Sequence, residues 1–258
     1  MELPVIARRE GRKMVVFSLV LENRPGAIAR ASEVLAEAGV NILAGAHSVS
    51  GERGVWTFFA ELPEGVDGEE ISSRLLELDC VKEASVGGTP AGEIMINDLT
   101  RGYTLMGQET ALMRWAWFSR LLEAVKDQWG AAGEAFIYHM GYGAGSSVEP
   151  YWREVTGLSG RALAEAALNV MKAMNWMKDF EIVKFDEEEK EVIIRIRGSL
   201  ECRMAKERGE RGPASNYIRG VIAGFVGEIL DHPVIAEETA CEAEGADYDE
   251  IIIRALRL

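Results

Sequence analysis

The segment Phe136-Ile137-Tyr138-His139-Met140-Gly141-Tyr142 sets one imidazole among aromatic rings and a flexible thioether. That mixture suits a cavity for an aromatic or hydrophobic ligand, with His139 supplying the one polar contact. Trp117 and Trp176 are further candidates for its lining. The same residues are also compatible with an ordinary core, where a lone histidine is hydrogen-bonded and aromatic stripes pack together. A second chemistry belongs to the turn Asn23-Arg24-Pro25-Gly26-Ala27-Ile28. Backbone N–H groups at a helix start can accept a carboxylate, helped by the helix dipole, and Gly26 allows close approach. Asn41, followed by Ile42, could hold a polar group on the facing side. The turn is equally sound as structure alone.

Catalytic constellations are missing. His47, His139 and His232 stand in unrelated contexts, so a nucleophile and base pair cannot be argued. Gly141-Tyr142-Gly143-Ala144-Gly145 follows a helical pattern rather than a strand and lacks the spacing of a dinucleotide fingerprint. No phosphate loop, nucleophile elbow or His-Glu metalloprotease motif is present. The acidic run 186–191 and the mixed-charge stretch 206–211 read as solvated turns.

The elements that position these residues fall into two groups. Residues 15–21 alternate as a strand, and Pro25 suits the first turn of a helix because its missing N–H has no intrahelical partner there. Ile28, Ala31, Val34, Leu35 and Ala38 recur at helical spacing, Gly39 ends the helix, and 39–42 opens a second strand. Strand 55–61, helix 71–78 and strand 81–86 complete a βαββαβ order, that of a ferredoxin-like sandwich. The strand, Arg-Pro-Gly turn, helix and Gly-Val-Asn-Ile series resembles an ACT domain, a regulatory module that binds amino acids or similar ligands. Gly87-Gly88-Thr89-Pro90-Ala91-Gly92 is a cluster of chain breakers. The expected division is therefore an ACT-like domain over 1–87, a linker over 88–92 and a second domain over 93–258, with the segment 1–87 able to fold alone.

The second domain begins with helical patterns over 108–129, 134–142 and 159–174, with a Gly and Ser loop at 141–150. It then changes period to a hairpin, 180–185 with 192–202, followed by a helix over 213–230 and a strand pair, 234–241 with 250–256. Gly220, Gly224 and Gly227 lie along that helix, where glycine costs about 1 kcal/mol relative to alanine, which points to close packing against another element. The fold class is α+β, with helices packed on an antiparallel sheet. The order of elements resembles the vinyl-4-reductase domain, and three segments carry the likeness: 198–202 (Gly-Ser-Leu-Glu-Cys), 216–225 and 237–245. The resemblance implies a small-molecule sensing domain, related in fold to vesicle-tethering subunits and found in regulators that recognise aromatic effectors, with the effector pocket on the helical half near His139.

Domains similar to this one can also hold zinc through cysteines and an acidic residue, with a Cys-x3-Gly-Asp-x2-Cys motif. Here Cys241 and Gly245 match, but Ala246 replaces the aspartate and Asp249 stands in the place of the second cysteine. Zinc accepts carboxylate oxygen, so Cys202, Cys241, Asp249 and a nearby glutamate could close a tetrahedral site. Strand alternation places Glu237 on the face of Cys241 and Glu238 on the other, which makes Glu237 the expected fourth ligand. The alternative is that both cysteines are inert core residues.

Composition bounds the partners. With 42 acidic against 28 basic residues the net charge of -14 disfavours direct nucleic-acid binding and anionic membranes. Three scattered cysteines do not make a disulfide framework, which suits a cytoplasmic location. The expectation is a two-module sensor with a small-molecule ligand in each module, working as a homodimer and signalling through a protein partner. The alternatives are a reductase acting on a vinyl-bearing pigment precursor and a scaffold that binds no ligand.

Overall fold

A computed structural model describes residues 2–100, 102–210 and 212–256. The chain forms two compact units, 1–112 and 113–258. In the first, β2 (Met14–Glu22), α1 (Ala27–Glu37), β3 (Asn41–Ser50), β4 (Arg53–Glu61), α2 (Gly68–Leu76) and β5 (Val81–Gly87) build the expected βαββαβ sandwich. Its antiparallel sheet has the order β3-β4-β2-β5. Alternation decides the faces: Phe17, Leu19, Leu21, Phe58 and Ala60 meet Ala31, Leu35, Ile71 and Leu75 of the helices in one buried cluster. Gly39, at φ 71°, closes α1 as its N–H bonds the Ala36 carbonyl.

The opposite face of that sheet is covered by a feature that the sequence did not announce. Around β1 (Ile6–Arg8), the strands β6 (Thr89–Ala91) and β7 (Ile94–Ile96) complete a second sheet, ordered β1-β7-β6. Its Met95 buries against Met14, Val16 and Phe59. The buried Asn97 amide donates to the Pro4 carbonyl (2.8 Å) and to Thr57 Oγ1 (3.3 Å), fastening the cover across the sheet. Residues 89–91, inside the stretch expected as a linker, are therefore strand. Pro90 is tolerated because β6 is an edge strand, and Gly88 at φ 102° makes the bend beside Met95 and Val16. The unit ends with the small hairpin β8 (Tyr103–Leu105) and β9 (Gln108–Thr110).

The second unit runs α3 (Trp115–Trp129), α4 (Ala131–Thr156), α5 (Gly160–Ala173), β10 (Asp179–Asp186), β11 (Glu191–Arg197), α6 (Leu200–Arg208), α7 (Asn216–Ile229), β12 (Val234–Ala240) and β13 (Asp249–Ala255). The antiparallel sheet is ordered β10-β11-β13-β12. Val192, Ile194, Ile196, Ile251 and Ile253 alternate toward Leu168, Ile218, Ile222 and Val226 of the helices. The outer face carries ion pairs such as Arg195–Glu250 (2.9 Å) and Arg254–Glu191 (2.8 Å).

Three expectations are corrected here. Residues 108–110 are strand, so the first helix starts only at Trp115. Leu200–Arg208 is helix rather than the end of a strand, because Ser199 caps it through Cys202 N (3.2 Å). Residues 141–150 are not a loop but the middle of the 26-residue α4. Glycine serves there as a spacer: a Cβ on Gly141 or Gly145 would collide with the backbone of Tyr217 or Val221 on α7, and one on Gly220 or Gly224 with that of Tyr138 or Tyr142 on α4. The close packing expected of the α7 glycines is thus met by a matching pair on α4.

This packing can be tested by substitution and by truncation. Gly224→Ala should lower the stability to urea by about 1–3 kcal/mol or more through overpacking, whereas Gly143→Ala, with open space within 4 Å of its Cβ, should be neutral or gain up to about 1 kcal/mol. Equal effects would contradict the spacer role. The fragment 1–112 should unfold cooperatively, and the fragment 1–87 should melt lower because it exposes Val16 and Phe59.

Candidate functional site

Four potential metal ligands converge where α6 meets the β12–β13 hairpin. The ligand atoms of Cys202, Glu238, Cys241 and Asp249 all lie within 4.8 Å of one another. Ser199 starts α6 so that Cys202 faces inward, fully buried. Its Sγ lies 3.5 Å from Sγ of Cys241, 3.8 Å from Oε1 of Glu238 and 3.3 Å from Oγ of Ser215. Tetrahedral zinc with Zn–S bonds of about 2.3 Å holds two sulfurs about 3.8 Å apart, close to the spacing of the two thiols.

Asp249 is fully buried. Its Oδ1 accepts from Glu242 N at 2.7 Å, while Oδ2 has no partner. A buried oxygen left bare beside two thiols and a second carboxylate is what a cation would satisfy. Glu238 Oε2 accepts from Ser215 N at 3.2 Å. Burial and the nearby charge of Asp249 raise its pKa above the usual carboxylate value. The Cys241 contact and burial push the Cys202 thiol up, and the same contact lowers Cys241. Metal binding would require both thiols to give up their protons.

The fourth member of the cluster is not the glutamate expected. Glu237 points outward, more than half exposed, toward Arg254 at 3.9 Å, and Glu238 takes its place. The cause is a bulge: the β12–β13 register shifts between Glu238 and Ala240. Val234, Ala236 and Glu238 face inward, and the extra residue Thr239 returns Cys241 to that same face.

The aromatic candidates do not gather. His139 is exposed, and its neighbour Tyr138 is the buried residue, with its hydroxyl accepting from Ala236 N at 3.1 Å. Trp117 is 58% exposed and stacks beneath Arg114. Trp176 is half-buried and lies against Tyr217, ring centres 6.0 Å apart. Space lies elsewhere, in an open cleft of about 690 Å³ beside the thiol cluster. Lys126, Asn216, Arg219 and Glu238 are among its walls. The Arg219 guanidinium donates to the Ala236 carbonyl (2.7 Å) and Asn216 Oδ1 (3.1 Å) and sits 4.8 Å from the Tyr138 ring. Among the described residues no carboxylate pairs with it. Sequence reasoning missed Arg219, although its position at the start of a glycine-bearing helix was a usable signal.

In the first unit, Asn23 braces the β3–β4 turn, its amide donating to the Gly51 carbonyl at 2.8 Å. Pro25 and Gly26 are exposed, Pro25 precedes the helix, and Gly26 caps it at φ 87°. Ala27 N already bonds the Arg24 carbonyl (3.3 Å), and Ile28 is half-buried. Asn41 and Ile42 are exposed at the far end of the sheet. Glu22 pairs with Arg53 and Asn41 with Glu61, opposite ends of β4, about 27 Å apart at a strand's rise. Helix α1 carries the chain back along the sheet, so Asn41 does not face the turn within this unit. The open cleft here, about 560 Å³, is lined by Asn23, Arg24, Arg53 and Lys82 among others.

Comparison with known families fits this division. The family model of the ACT domain matches residues 15–78, and that of the vinyl-4-reductase domain matches residues 192–255. The chain therefore carries an ACT domain followed by a vinyl-4-reductase domain. No curated protein matches it. Among solved structures, the phenol-responsive sensory domain of the transcription activator PoxR, solved with phenol, aligns over 57% of this chain and 77% of its own, with 13% identity and a TM-score of 0.51. A vinyl-4-reductase family protein from Methanocaldococcus jannaschii covers 57% of this chain and 85% of its own, with 19% identity and a TM-score of 0.41. The ACT domain from GTP pyrophosphokinase of Chlorobium tepidum covers 28% and 95%, with 11% identity and a TM-score of 0.26. Among the described residues no helix is long and apolar enough to cross a membrane.

The bulge gives a direct test: Glu238→Gln should shift the melting temperature and Glu237→Gln should leave it in place. The reverse order would restore unbroken alternation.

Proposed function

We propose that this protein is a small-molecule-responsive regulator whose vinyl-4-reductase unit senses an organic ligand and whose ACT unit takes an amino acid or related molecule. The observation that carries the proposal is the pairing of an ACT domain with a vinyl-4-reductase unit that has the fold of a sensory domain. The ligand of the second unit docks in the open cleft beside the thiol cluster, where the guanidinium of Arg219, held by Ala236 and Asn216 but by no carboxylate among the described residues, meets an acidic or phenolic oxygen. The ACT ligand is an amino acid whose carboxylate lies in the cleft near Arg24 and Lys82. The protein works as a homodimer and passes its signal to a protein partner.

Zinc is the metal proposed for Cys202, Glu238, Cys241 and Asp249. Bound there, it would supply structural cohesion, tying α6 to the β12–β13 hairpin through a closed set of four protein ligands. The filled core around Tyr138 favours a second reading, an interaction module that binds no ligand.

Two experiments decide. A panel of phenols, aromatic acids and amino acids is screened by thermal shift; a ligand at 100 times its Kd stabilises by about 2.7 kcal/mol, and Arg219→Met should remove the response to the aromatic compounds alone. No shift from any compound leaves the scaffold reading. For the metal, Asp249→Asn should destabilise a loaded site, whereas in a metal-free cluster it relieves a buried charge and raises stability.

A further inference from the structure

Cys202 and Cys241 approach from different elements, one in the first turn of α6 and the other just after β12. Their sulfurs stand 3.5 Å apart, and both residues are buried. The third cysteine, Cys80, is buried in the other unit, where its thiol lies 3.9 Å from the Ala27 carbonyl. The structure thus presents one pair of thiols that can react with each other and one that has no partner thiol within its unit. From this geometry we infer that Cys202 and Cys241 are a redox modification site, joined reversibly into a disulfide by a hydroperoxide.

The reaction is a two-electron oxidation. A peroxide oxygen accepts the sulfur electron pair of one cysteine, the O–O bond breaks, and that cysteine becomes a sulfenic acid as water or an alcohol leaves. The second thiolate then attacks the sulfenic sulfur; the S–S bond forms, the S–O bond breaks, and the second oxygen leaves as water. The two thiol protons end in the products, and one hydroperoxide is consumed. A dithiol reductant reverses the step.

Two features favour the pair over an inert core. The Cys241 thiol donates to the Gly212 carbonyl at 3.5 Å, and Gly212 with Glu238 forms part of the wall of the open cleft. Both sulfurs are buried behind this wall, so a peroxide reaches them only as the wall opens locally. The sulfurs must close by about 1.5 Å to reach a bond of about 2.05 Å, and both sit at the ends of elements rather than in the middle of the sheet. Closure would bind α6 to the β12–β13 hairpin around α7, the helix packed by glycine on α4. It would also remove both thiolates from the proposed metal set, so oxidation and metal binding exclude each other. The inference rests on the thiol placement and stands whether or not zinc is bound.

The experiment uses the full chain as purified and after treatment with a chelator, each exposed to hydrogen peroxide and then alkylated in denaturant. The expected result in the chelated sample is a mass loss of about 2 Da per chain before alkylation, one alkylated thiol at Cys80 after it, and a Cys202–Cys241 cross-linked peptide that dithiothreitol abolishes. If zinc is present as purified, the same product should form more slowly and with release of the metal. If none is present, the zinc proposal fails while the disulfide outcome is still read. Three thiols left free after peroxide, oxygen added to Cys241 without a cross-link, or a cross-link to Cys80 would each overturn the inference.

Discussion

A buried carboxylate with one bare oxygen sets the terms for the C-terminal unit. Asp249 is inaccessible to water, and only its Oδ1 is hydrogen-bonded. An unpaired charge in such a place costs several kcal/mol unless something compensates it. Partial compensation comes from its surroundings: the N–H of Glu242, two neighbouring thiols, and a Glu238 whose pKa is raised by burial and by Asp249 itself. These groups come from α6, from the end of β12 and from the first residue of β13, so the compensation and the closure of the hairpin on α6 are the same event. A cation is the simplest group that would complete it.

The helices provide the frame on which this corner is built. Tight contact of α4 with α7 depends on glycine at 141, 145, 220 and 224, and α7 begins directly after Ser215, which bonds both Cys202 and Glu238. The start of α7 is also held by Glu201, whose carboxylate accepts from the N–H groups of Tyr217 (3.0 Å) and Ile218 (2.7 Å). Complete burial nonetheless raises its pKa to about 7. Helix α7 thus contributes to all three features: the packing on α4, the cluster through the residue that precedes it, and the wall of the open cleft through Asn216 and Arg219.

What is legible in the sequence follows from the range of the signals. The ACT sandwich is readable because Pro25, Gly39 and the alternation of 15–21 are local instructions. Three of the four cluster residues can be named from sequence only through the resemblance to the vinyl-4-reductase motif, in which Cys241 matches and Asp249 stands in the place of a cysteine. Glu238 cannot, because a bulge at Thr239 has no residue type that announces it. The run from Gly141 to Ser147 misleads for a related reason: glycine as a helix breaker and glycine as a spacer look alike until the partner helix is known, although the shared spacing of four in 141/145 and 220/224 is a usable clue. The cover formed by β6 and β7 is hidden because three-residue strands carry almost no periodicity. His139 lies on the exposed side of α4 and its neighbour Tyr138 on the buried side, a difference of one position that the sequence pattern does not resolve.

The most direct test of the central claim is X-ray absorption at the zinc edge on protein purified without chelator. The account predicts zinc surrounded by two sulfurs at about 2.3 Å and two oxygens at about 2.0–2.2 Å. Absence of stoichiometric zinc, or a shell without sulfur, would contradict it.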